Sequence, residues 1–486
     1  MKSDPQAEER RAGRLLGVGL AGVLIAGAAV RFWATQSEFW LDEIWTLLAF
    51  VRGSNSPLVD TFTRHHDNNH YLNTLWMFVC GPMARNWFVY RIPSVAAGVG
   101  TIVLAALFAR RWGRFEAFAA ALMTSESFML IVYSSEARGY ALCGFFAIAA
   151  ALALDRFLAA PNRWTNVAFC LATILGFLSH LTFLSVYAGA FAWSVYALWR
   201  NSKSPQEALM ALLRLHTAPI LFVAALYWID IRFLGIGGGQ AYDLQQVLAS
   251  TSALAIGAGA ESAPWMGLFA VVAWIAGVAA LMWMMREATG LAIFFLVAVV
   301  IAPALLLILK RPPALYERYF YVNVVFSLLL FSYLLGRMAR WNAVGRVAAV
   351  STLILMTVGN SLSTEEFLRN GRGRVLELLE YVAATTPPGD IRLAGEQGFN
   401  EKLYVGFYIA YLPQDRSWFY YDNTSDVPVA PEWLIRFDNS RPFAPPQEIS
   451  DLRRRTRDRY VLQRFAPTSR LTGYNAAIYR RADLAK

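Results

Sequence analysis

The chain has 486 residues, of which 57% are hydrophobic and 16% are charged, and its formal net charge at pH 7 is +10. Soluble globular domains have about 25% charged and 45–50% apolar residues, so this composition excludes an ordinary soluble enzyme and predicts a membrane protein. Lys and Arg collect in the cytoplasmic loops of membrane proteins, and the positive charge therefore requires no nucleic-acid partner. Cys80, Cys143 and Cys170 lie in apolar runs without motif spacing, which predicts neither disulfides nor a metal site.

Leu15–Ala34 is the first apolar run, and four basic residues precede it, Lys2, Arg10, Arg11 and Arg14. Its length matches the roughly 20 residues that cross the hydrocarbon core of a bilayer. It shows no small-residue cleavage pattern ahead of a soluble domain. We therefore expect a first transmembrane helix with a cytoplasmic N-terminus, and not a cleavable signal peptide.

Basic clusters separate the later apolar runs, and the positive-inside rule places these clusters in the cytoplasm. This threading predicts about eleven transmembrane helices and an external C-terminus. The predicted spans are residues 15–34, 92–109, 115–133, 140–158, 165–179, 181–199, 216–233, 264–285, 289–309, 319–336 and 345–361. Tyr71–Met83 is only about a dozen residues long, and counting it as a span would put the basic cluster at Arg110 outside. It is therefore predicted to lie along the outer surface. Leu244–Ala260, rich in Gly, Ala and Ser, is predicted to be interfacial or re-entrant.

The composition changes after Ser361 and divides the chain into two predicted domains. Residues 1–361 form a transmembrane domain, whose first external loop (35–91) contains interfacial helices, and residues 362–486 form a small external soluble α/β domain. Within the latter, Arg372–Ala384 is predicted to be helical, and short β-rich runs bounded by Pro, Gly, Asn and Asp are predicted to be strands. These runs are "GDIRLAGEQG", "FYIAYLPQDRSWFYYDN", "PEWLIRF", "DRYVLQRFAP" and "NAAIYRR".

The stretch "SEFWLDEIWTL" (residues 37–47) places Asp42 and Glu43 side by side among tryptophans and aliphatic residues, just after the first span. Acidic residues are favoured in the first turn of a helix by its dipole, which is one explanation of the pair. A half-buried carboxylate is also a good general base, which is the functional explanation.

Three of the five histidines fall within "TRHHDNNHYLN" (residues 63–73), as His65, His66 and His70. His66 and His70 are four residues apart and would share one face of a helix, as metal ligands do. A lone pair of this kind without an intervening Glu is a weak zinc signal. The alternative is a polar, hydrogen-bonded loop that includes Asp67 and Asn69.

Two arginines stand at the outer ends of predicted spans. Arg138 follows Glu136 in "YSSEARGYAL", and Arg318 precedes Tyr319 in "PPALYERYFY". Such residues either anchor a helix at the interface or use the guanidinium fork to bind a phosphate. His180, in "GFLSHLTFL", is either a core histidine or a pocket residue.

These motifs, in this order, resemble the C-type glycosyltransferase superfamily, which includes protein O-mannosyltransferases, aminoarabinose transferases and bacterial transferases that modify lipopolysaccharide. The resemblance covers about Leu15 to Leu335 and is carried by "FWLDEIWT", "HHDNNHYLN", "YRIPSVAAG", "YSSEARGYAL", "LSHLTFL" and "ERYFYV". Members often have His-Pro-Pro-Leu where this chain has His70 to Asn73, "HYLN", and this departure affects the role of His70 and of any metal.

The resemblance implies an inverting transfer of a sugar from a polyprenyl-phosphate carrier, on the external face of a bacterial inner membrane. Asp42 matches the acid that deprotonates the acceptor, and Glu43 is its orienting or metal-tuning neighbour. The donor and its phosphate are assigned to Glu136, Arg138, Arg318 and Tyr319, and the pocket to His66, Asp67, Asn69, His70 and His180. The acceptor is an unspecified hydroxyl of a glycolipid, a glycan or a protein. A divalent metal at His66, His70 and Glu43 is an option but is not expected to be obligatory.

A membrane transporter or flippase of a lipid-linked or anionic solute is the alternative from another class. Transporters often have internal repeats and ionisable residues near the bilayer midplane. In this chain the unusual ionisable residues fall on one predicted face and no repeat is visible, which favours the enzyme.

Overall fold

The computed structural model describes residues 5–54, 56–81, 86–235, 243–259, 263–310, 312, 314–396, 398–422, 430–440, 443–450 and 458–485. These residues group into two compact units. The first comprises residues 1–32, 55–79 and 90–362, and the second comprises residues 33–54, 80–89 and 363–486. The second unit therefore contains the C-terminal region together with two pieces of the predicted first loop.

The helices of the first unit follow directly from the apolar runs. In chain order they are α1 (Pro5–Ala34), α3 (Pro57–Thr63), α4 (Tyr71–Cys80), α5 (Trp87–Ala109), α6 (Arg114–Glu126), α7 (Phe128–Ser134), α8 (Tyr140–Ala159), α9 (Arg163–Ser179), α10 (Phe183–Asn201), α11 (Pro205–Ile229), α12 (Leu244–Ala255), α13 (Ala263–Glu287), α14 (Thr289–Leu296), α15 (Ala302–Lys310), α16 (Tyr321–Trp341) and α17 (Ala343–Asn370). A π-helical turn, Val297–Ile301, joins α14 to α15, and 3-10 helices occur at Ile231–Phe233 and Glu317–Phe320.

Eight helical segments among the described residues are long and apolar enough to cross a membrane, and the pair α6–α7, bent by 58°, makes a ninth if it is counted as one span. The protein is therefore a multi-pass helical membrane protein, as predicted. All eleven predicted spans coincide with helices, but the count of eleven spans is not confirmed. Helix α9 has only 17 residues, and the 19 residues of α10 include Tyr187, Trp193, Tyr196 and Trp199, whose low hydropathy reduces the mean hydropathy of that helix.

The bend between α6 and α7 has an identifiable cause in its hydrogen bonds. A break at Ser127 leaves carbonyl and N–H groups without partners inside the helix. The Asn360 side chain accepts a hydrogen bond from the Phe128 N–H at 2.8 Å. The fully buried Arg31 of α1 donates to the carbonyl oxygens of Thr124 and Ser125 at 2.8 and 2.9 Å. Two polar side chains from distant helices thus stabilise the bend.

Helix α4 covers the stretch that was predicted not to span the membrane. Its 10 residues are about half the roughly 20 that a span requires. Helix α12, with 12 residues, is likewise too short to span, in line with an interfacial or re-entrant segment. The loop "IGGGQAYDLQQ" that leads to α12 lies mostly outside the described residues.

Cysteine labelling tests this topology. In a variant without the three native cysteines, Gln36→Cys and Lys310→Cys should react with an impermeant thiol reagent from outside, because both positions are exposed and predicted to be external. Gln206→Cys and Asn342→Cys, exposed and predicted to be cytoplasmic, should react only after permeabilisation. Labelling of the latter two in sealed cells would mean that α4 crosses the membrane. Gly239 and Ser425, two further positions predicted to be external, lie outside the described residues.

The second unit contains α2 (Leu41–Thr46), a π-helical turn (Leu47–Arg52), α18 (Val375–Thr385), α19 (Phe399–Ile409) and one six-stranded sheet. The strand order is β2-β1-β3-β6-β5-β4, in which β1 is parallel to β2 and β3 and the other pairs are antiparallel. The strands are β1 (Ile391–Gly395), β2 (Trp418–Tyr421), β3 (Trp433–Asp438), β4 (Glu448–Ser450), β5 (Arg459–Ala466) and β6 (Asn475–Arg481). The predicted small α/β domain at the C-terminus is therefore confirmed.

One predicted strand region is wrong in part. The run "FYIAYLPQDRSWFYYDN" was predicted to be β-rich throughout, but its first residues belong to α19 and only Trp418–Tyr421 forms a strand. Its aromatic residues favour strands by propensity, whereas the buried residues Tyr404, Val405, Phe407 and Tyr408 follow helical spacing. Burial of that helical face overrides the local propensity.

Candidate active site

Asp42 and Glu43 lie in the first turn of α2. The carboxylate of Glu43 is fully buried and accepts a hydrogen bond from the Trp40 N–H at 3.2 Å. Glu43 thus caps its own helix, and both acids lie in the first turn, where the helix dipole favours them. Asp42, the residue immediately before Glu43, is half-buried. The geometry therefore gives the two acids different environments.

Arg138 is the centre of a buried polar cluster in the first unit. It is 3% exposed, and its guanidinium donates to Nε2 of His70 from Nε at 3.1 Å and to Oδ1 of Asn68 at 2.8 Å. The Ser94 hydroxyl donates to the Arg138 carbonyl oxygen at 2.9 Å. The imidazole of His70 and the amide of Asn68 are neutral acceptors that orient the guanidinium.

Aromatic rings surround this cluster. The rings of His70 and His180 stack with centroids 5.0 Å apart, and the Tyr140 ring lies 4.6 Å from that of His180. Burial, followed by the charge of Arg138, holds the pKa of His70 well below its ordinary value, and the same causes lower the pKa of His180 to about 3. Both imidazoles are therefore neutral at neutral pH. Because Nε2 of His70 accepts from Arg138, its remaining proton is on Nδ1.

The second predicted arginine is connected to this cluster through rings. The Arg318 guanidinium lies 4.2 Å from the centre of the Tyr316 ring and 5.7 Å from that of Tyr319. The Tyr319 ring is in turn 6.4 Å from the ring of His180. Glu136 is fully buried in the turn between α7 and α8. The structure thus brings Arg138, His70, His180, Tyr319 and Arg318 into one connected region of the first unit.

The loop that carries Asn68 and His70 is anchored by a residue that sequence reasoning missed. Asp230, fully buried at the end of α11, accepts from the Tyr71 hydroxyl and contacts Nδ1 of His65 at 2.5 Å. The Asp67 N–H adds a backbone bond to Gly235 at 3.2 Å. A lone carboxylate at the end of a predicted span was the available signal for Asp230.

The remaining predicted pocket residues have ordinary polar partners. Nδ1 of His66 lies 3.2 Å from a carboxylate oxygen of Asp67. The Asn69 side chain accepts from the Thr74 hydroxyl at 3.0 Å and donates to the Thr61 carbonyl oxygen. These contacts match the alternative of a hydrogen-bonded loop.

The histidines do not fit a metal centre in this arrangement. His65, His66 and His70 each face a different partner, namely Asp230, Asp67 and Arg138. His70 precedes α4 and lies against a guanidinium, so the predicted helical pair with His66 does not form. Within the described part of the chain, no three His, Cys, Asp or Glu side chains converge on a point that could hold a metal ion.

If the chain has the transfer activity that its motifs predict, chelation should leave that activity intact. A histidine that accepts from a guanidinium is a poor ligand, because a cation at Nε2 would face the positive charge of Arg138. Purified protein assayed with and without EDTA should then keep its rate within about twofold, since His65, His66 and His70 each contact a different partner. Complete loss of activity, restored by one specific metal, would contradict this expectation.

No family model matches the chain, and no curated protein matches it. Solved structures that match include ArnT from Cupriavidus metallidurans in the apo state, with 14% identity over 81% of this chain and 85% of that chain and a TM-score of 0.49. The same protein bound to undecaprenyl phosphate matches with 13% identity over 96% and 99% of the two chains, again with a TM-score of 0.49.

The oligosaccharyltransferase of Archaeoglobus fulgidus, in complex with Zn and sulfate, matches with 15% identity over 82% of this chain and 62% of that chain and a TM-score of 0.38. At these identities and TM-scores, neither substrates nor catalytic residues transfer from the matched proteins to this chain.

Proposed function

We propose that this protein is an integral-membrane, inverting glycosyltransferase that moves a sugar from a polyprenyl-phosphate carrier to an acceptor hydroxyl on the external face of the membrane. The observation that carries the proposal is the buried guanidinium of Arg138, oriented by the neutral groups of His70 and Asn68. A guanidinium remains protonated when buried, and its fork matches the oxygens of a phosphate.

The chemistry requires little beyond such a cation and one base. The acceptor oxygen attacks the anomeric carbon from the face opposite the phosphate, and the bond between that carbon and the phosphate oxygen breaks. The configuration is thereby inverted, and polyprenyl phosphate leaves with the bonding electron pair. Arg138 and Arg318 stabilise the negative charge that develops on the leaving phosphate.

Asp42 is the proposed base, which takes the proton of the acceptor hydroxyl. Glu43 supports Asp42 indirectly, because it caps the helix on which both acids lie. Glu136 and Tyr319 are assigned to the donor, and His66, Asp67, Asn69, His70 and His180 shape the pocket. We expect no obligatory metal.

The proposed partners are a polyprenyl-phosphate-linked sugar as donor and a glycolipid, glycan or protein as acceptor. The proposed location is a bacterial inner membrane, with the N-terminus in the cytoplasm and the C-terminal domain in the periplasm. A carrier with a long apolar tail suits an integral membrane enzyme, because the tail stays in lipid while the sugar is transferred in water.

A turnover assay tests the proposal. The full chain, purified in lipid nanodiscs, should release polyprenyl phosphate from a polyprenyl-phosphate sugar when an extract of envelope glycolipids and glycoproteins is added, and mass spectrometry should find the sugar on one component. The Asp42→Asn protein, prepared in parallel, is the control. Transport of the intact donor across sealed vesicles without cleavage would instead support the transporter or flippase.

A further inference from the structure

The segment just before the two acids is held by the C-terminal region of the chain. The Leu41 N–H donates to the hydroxyl oxygen of Tyr404 at 2.8 Å, and the Tyr408 hydroxyl donates to the carbonyl oxygen of Phe39 at 2.5 Å. Both tyrosines belong to α19, more than 350 residues later in the chain. Both tyrosine side chains are buried.

Two further contacts hold the same segment. The Leu376 N–H, in the first turn of α18, donates to both carboxylate oxygens of Glu38 at 3.1 Å. The Arg372 guanidinium donates to the Ser37 hydroxyl. Residues 37–41 are therefore bonded to α18, to α19 and to the turn before α18.

Ring packing reinforces these hydrogen bonds. The Phe39 ring stacks on Phe407 of α19 at 6.3 Å with an interplanar angle of 11°. The Phe39 ring also stacks on the Trp87 ring, with centroids 5.7 Å apart. The Trp87 ring in turn packs edge to face against Tyr408 at 5.9 Å. Phe39 is consequently buried completely.

The tyrosine contacts bear directly on the start of α2. This helix has only six residues before its π-helical turn, and so short a helix is not stable alone. Its first N–H groups have no partner inside the helix. The Trp40 N–H is satisfied by Glu43 and the Leu41 N–H by Tyr404. Because Asp42 follows Leu41 immediately, these bonds fix the backbone from which its carboxylate extends.

We propose that α19 contributes to the active site and that Tyr404 and Tyr408 are positioning residues. Their hydroxyl groups hold the backbone at Phe39 and Leu41 and thereby position Asp42. This inference rests on the proposed role of Asp42 as base. It gives the C-terminal domain a function within the transfer reaction itself. A misplacement of about 1 Å of a catalytic group can lower the rate by about 10²-fold, so a small loosening of this segment has a measurable effect.

The test compares conservative variants of the full chain. Tyr404→Phe keeps the ring and removes only the hydroxyl that accepts from Leu41. Tyr460→Phe is the matched control, because the buried Tyr460 hydroxyl in β5 donates to the Pro431 carbonyl oxygen at 2.9 Å, within the same unit. Tyr404→Phe should lower kcat by about tenfold with little change in the KM for the donor, and Tyr404→Phe/Tyr408→Phe by about 10²-fold. Tyr460→Phe should lower the Tm to a similar extent but leave kcat unchanged.

Two readouts separate positioning from general stability. In the Asp42→Asn background, Tyr404→Phe should change the residual rate by less than about twofold, because the base that the Tyr404 hydroxyl positions is already absent. Hydrogen–deuterium exchange over residues 39–46 should rise in Tyr404→Phe and stay unchanged in Tyr460→Phe. Full additivity with Asp42→Asn, or equal kcat in Tyr404→Phe and Tyr460→Phe, would overturn the inference. If the wild-type chain turns over no donor, the proposed function fails, while the exchange measurement still decides whether Tyr404 holds this segment.

Discussion

Asp42→Asn is expected to lower kcat by a factor of about 10²–10⁴, the usual range for a lost general base. An amide has nearly the shape of a carboxylate, and Asp42 is only half-buried, so the variant should insert and fold. It cannot accept the proton of the acceptor hydroxyl, and the attacking oxygen therefore remains a poor nucleophile. The measurement is kcat at saturating donor and acceptor in nanodiscs, with folding checked by thermal unfolding.

Glu43→Gln is the matched control for that result. The carboxylate of Glu43 is fully buried and caps the Trp40 N–H, and the amide oxygen of Gln can accept the same bond. We expect a loss in kcat below about tenfold, because the cap persists in weaker form. Near-normal turnover by Asp42→Asn, or a larger loss in Glu43→Gln, would exclude Asp42 as the base.

Arg138→Ala is expected to lower kcat/KM for the donor by about 10²-fold or more, since removing one donor to a charge that develops in the transition state typically costs about 10²–10³ in rate. The variant removes the guanidinium and also leaves Nε2 of His70 and Oδ1 of Asn68 without this donor. Arg138→Lys should recover only part of the loss, because an ammonium group lacks the planar fork. Arg318→Ala should have a smaller effect, as Arg318 is only half-buried.

Steady-state kinetics with the donor as the varied substrate provide the measurement. Arg346→Ala, at an exposed arginine predicted to face the cytoplasm, is the control for a general loss of positive charge and should match the wild type. Unchanged donor kinetics in both Arg138→Ala and Arg318→Ala would identify these arginines as interfacial anchors.

The helical membrane architecture was predictable because it depends on local composition. Long apolar runs and the basic clusters between them mark each helix by itself, and the structure has a helix at every predicted span. The exact number of spans was less predictable, since α9 and α10 are close to the limits of length and apolar content. The bend at Ser127 was not predictable, because it depends on Asn360 and Arg31, which are far away in the sequence.

The candidate site was predictable as a set of residue types but not as a set of contacts. Arg138 was identified by its charge at the end of a span, whereas its bonds to His70 and Asn68 join residues 68 and 70 positions apart. Asp230 acts through Tyr71, 159 positions away. The support of α2 by Tyr404 was not predictable either. Tyr404 and Tyr408 lie on the same helix, α19, and the run that contains Tyr408 was predicted to be β-rich.

The buried Arg31 has a consequence for biosynthesis. Its guanidinium is bonded to the carbonyl oxygens of Thr124 and Ser125, 93 and 94 residues later in the chain. At a translation rate of about 5–20 residues per second, α1 emerges roughly 5–20 seconds before the partners of Arg31 are made. During that interval a cation in an apolar helix must be kept in a polar environment, at the membrane surface or within the insertion machinery. We therefore expect α1 to reach its final packing only after α6 has been synthesised, although it is the first helix to be translated.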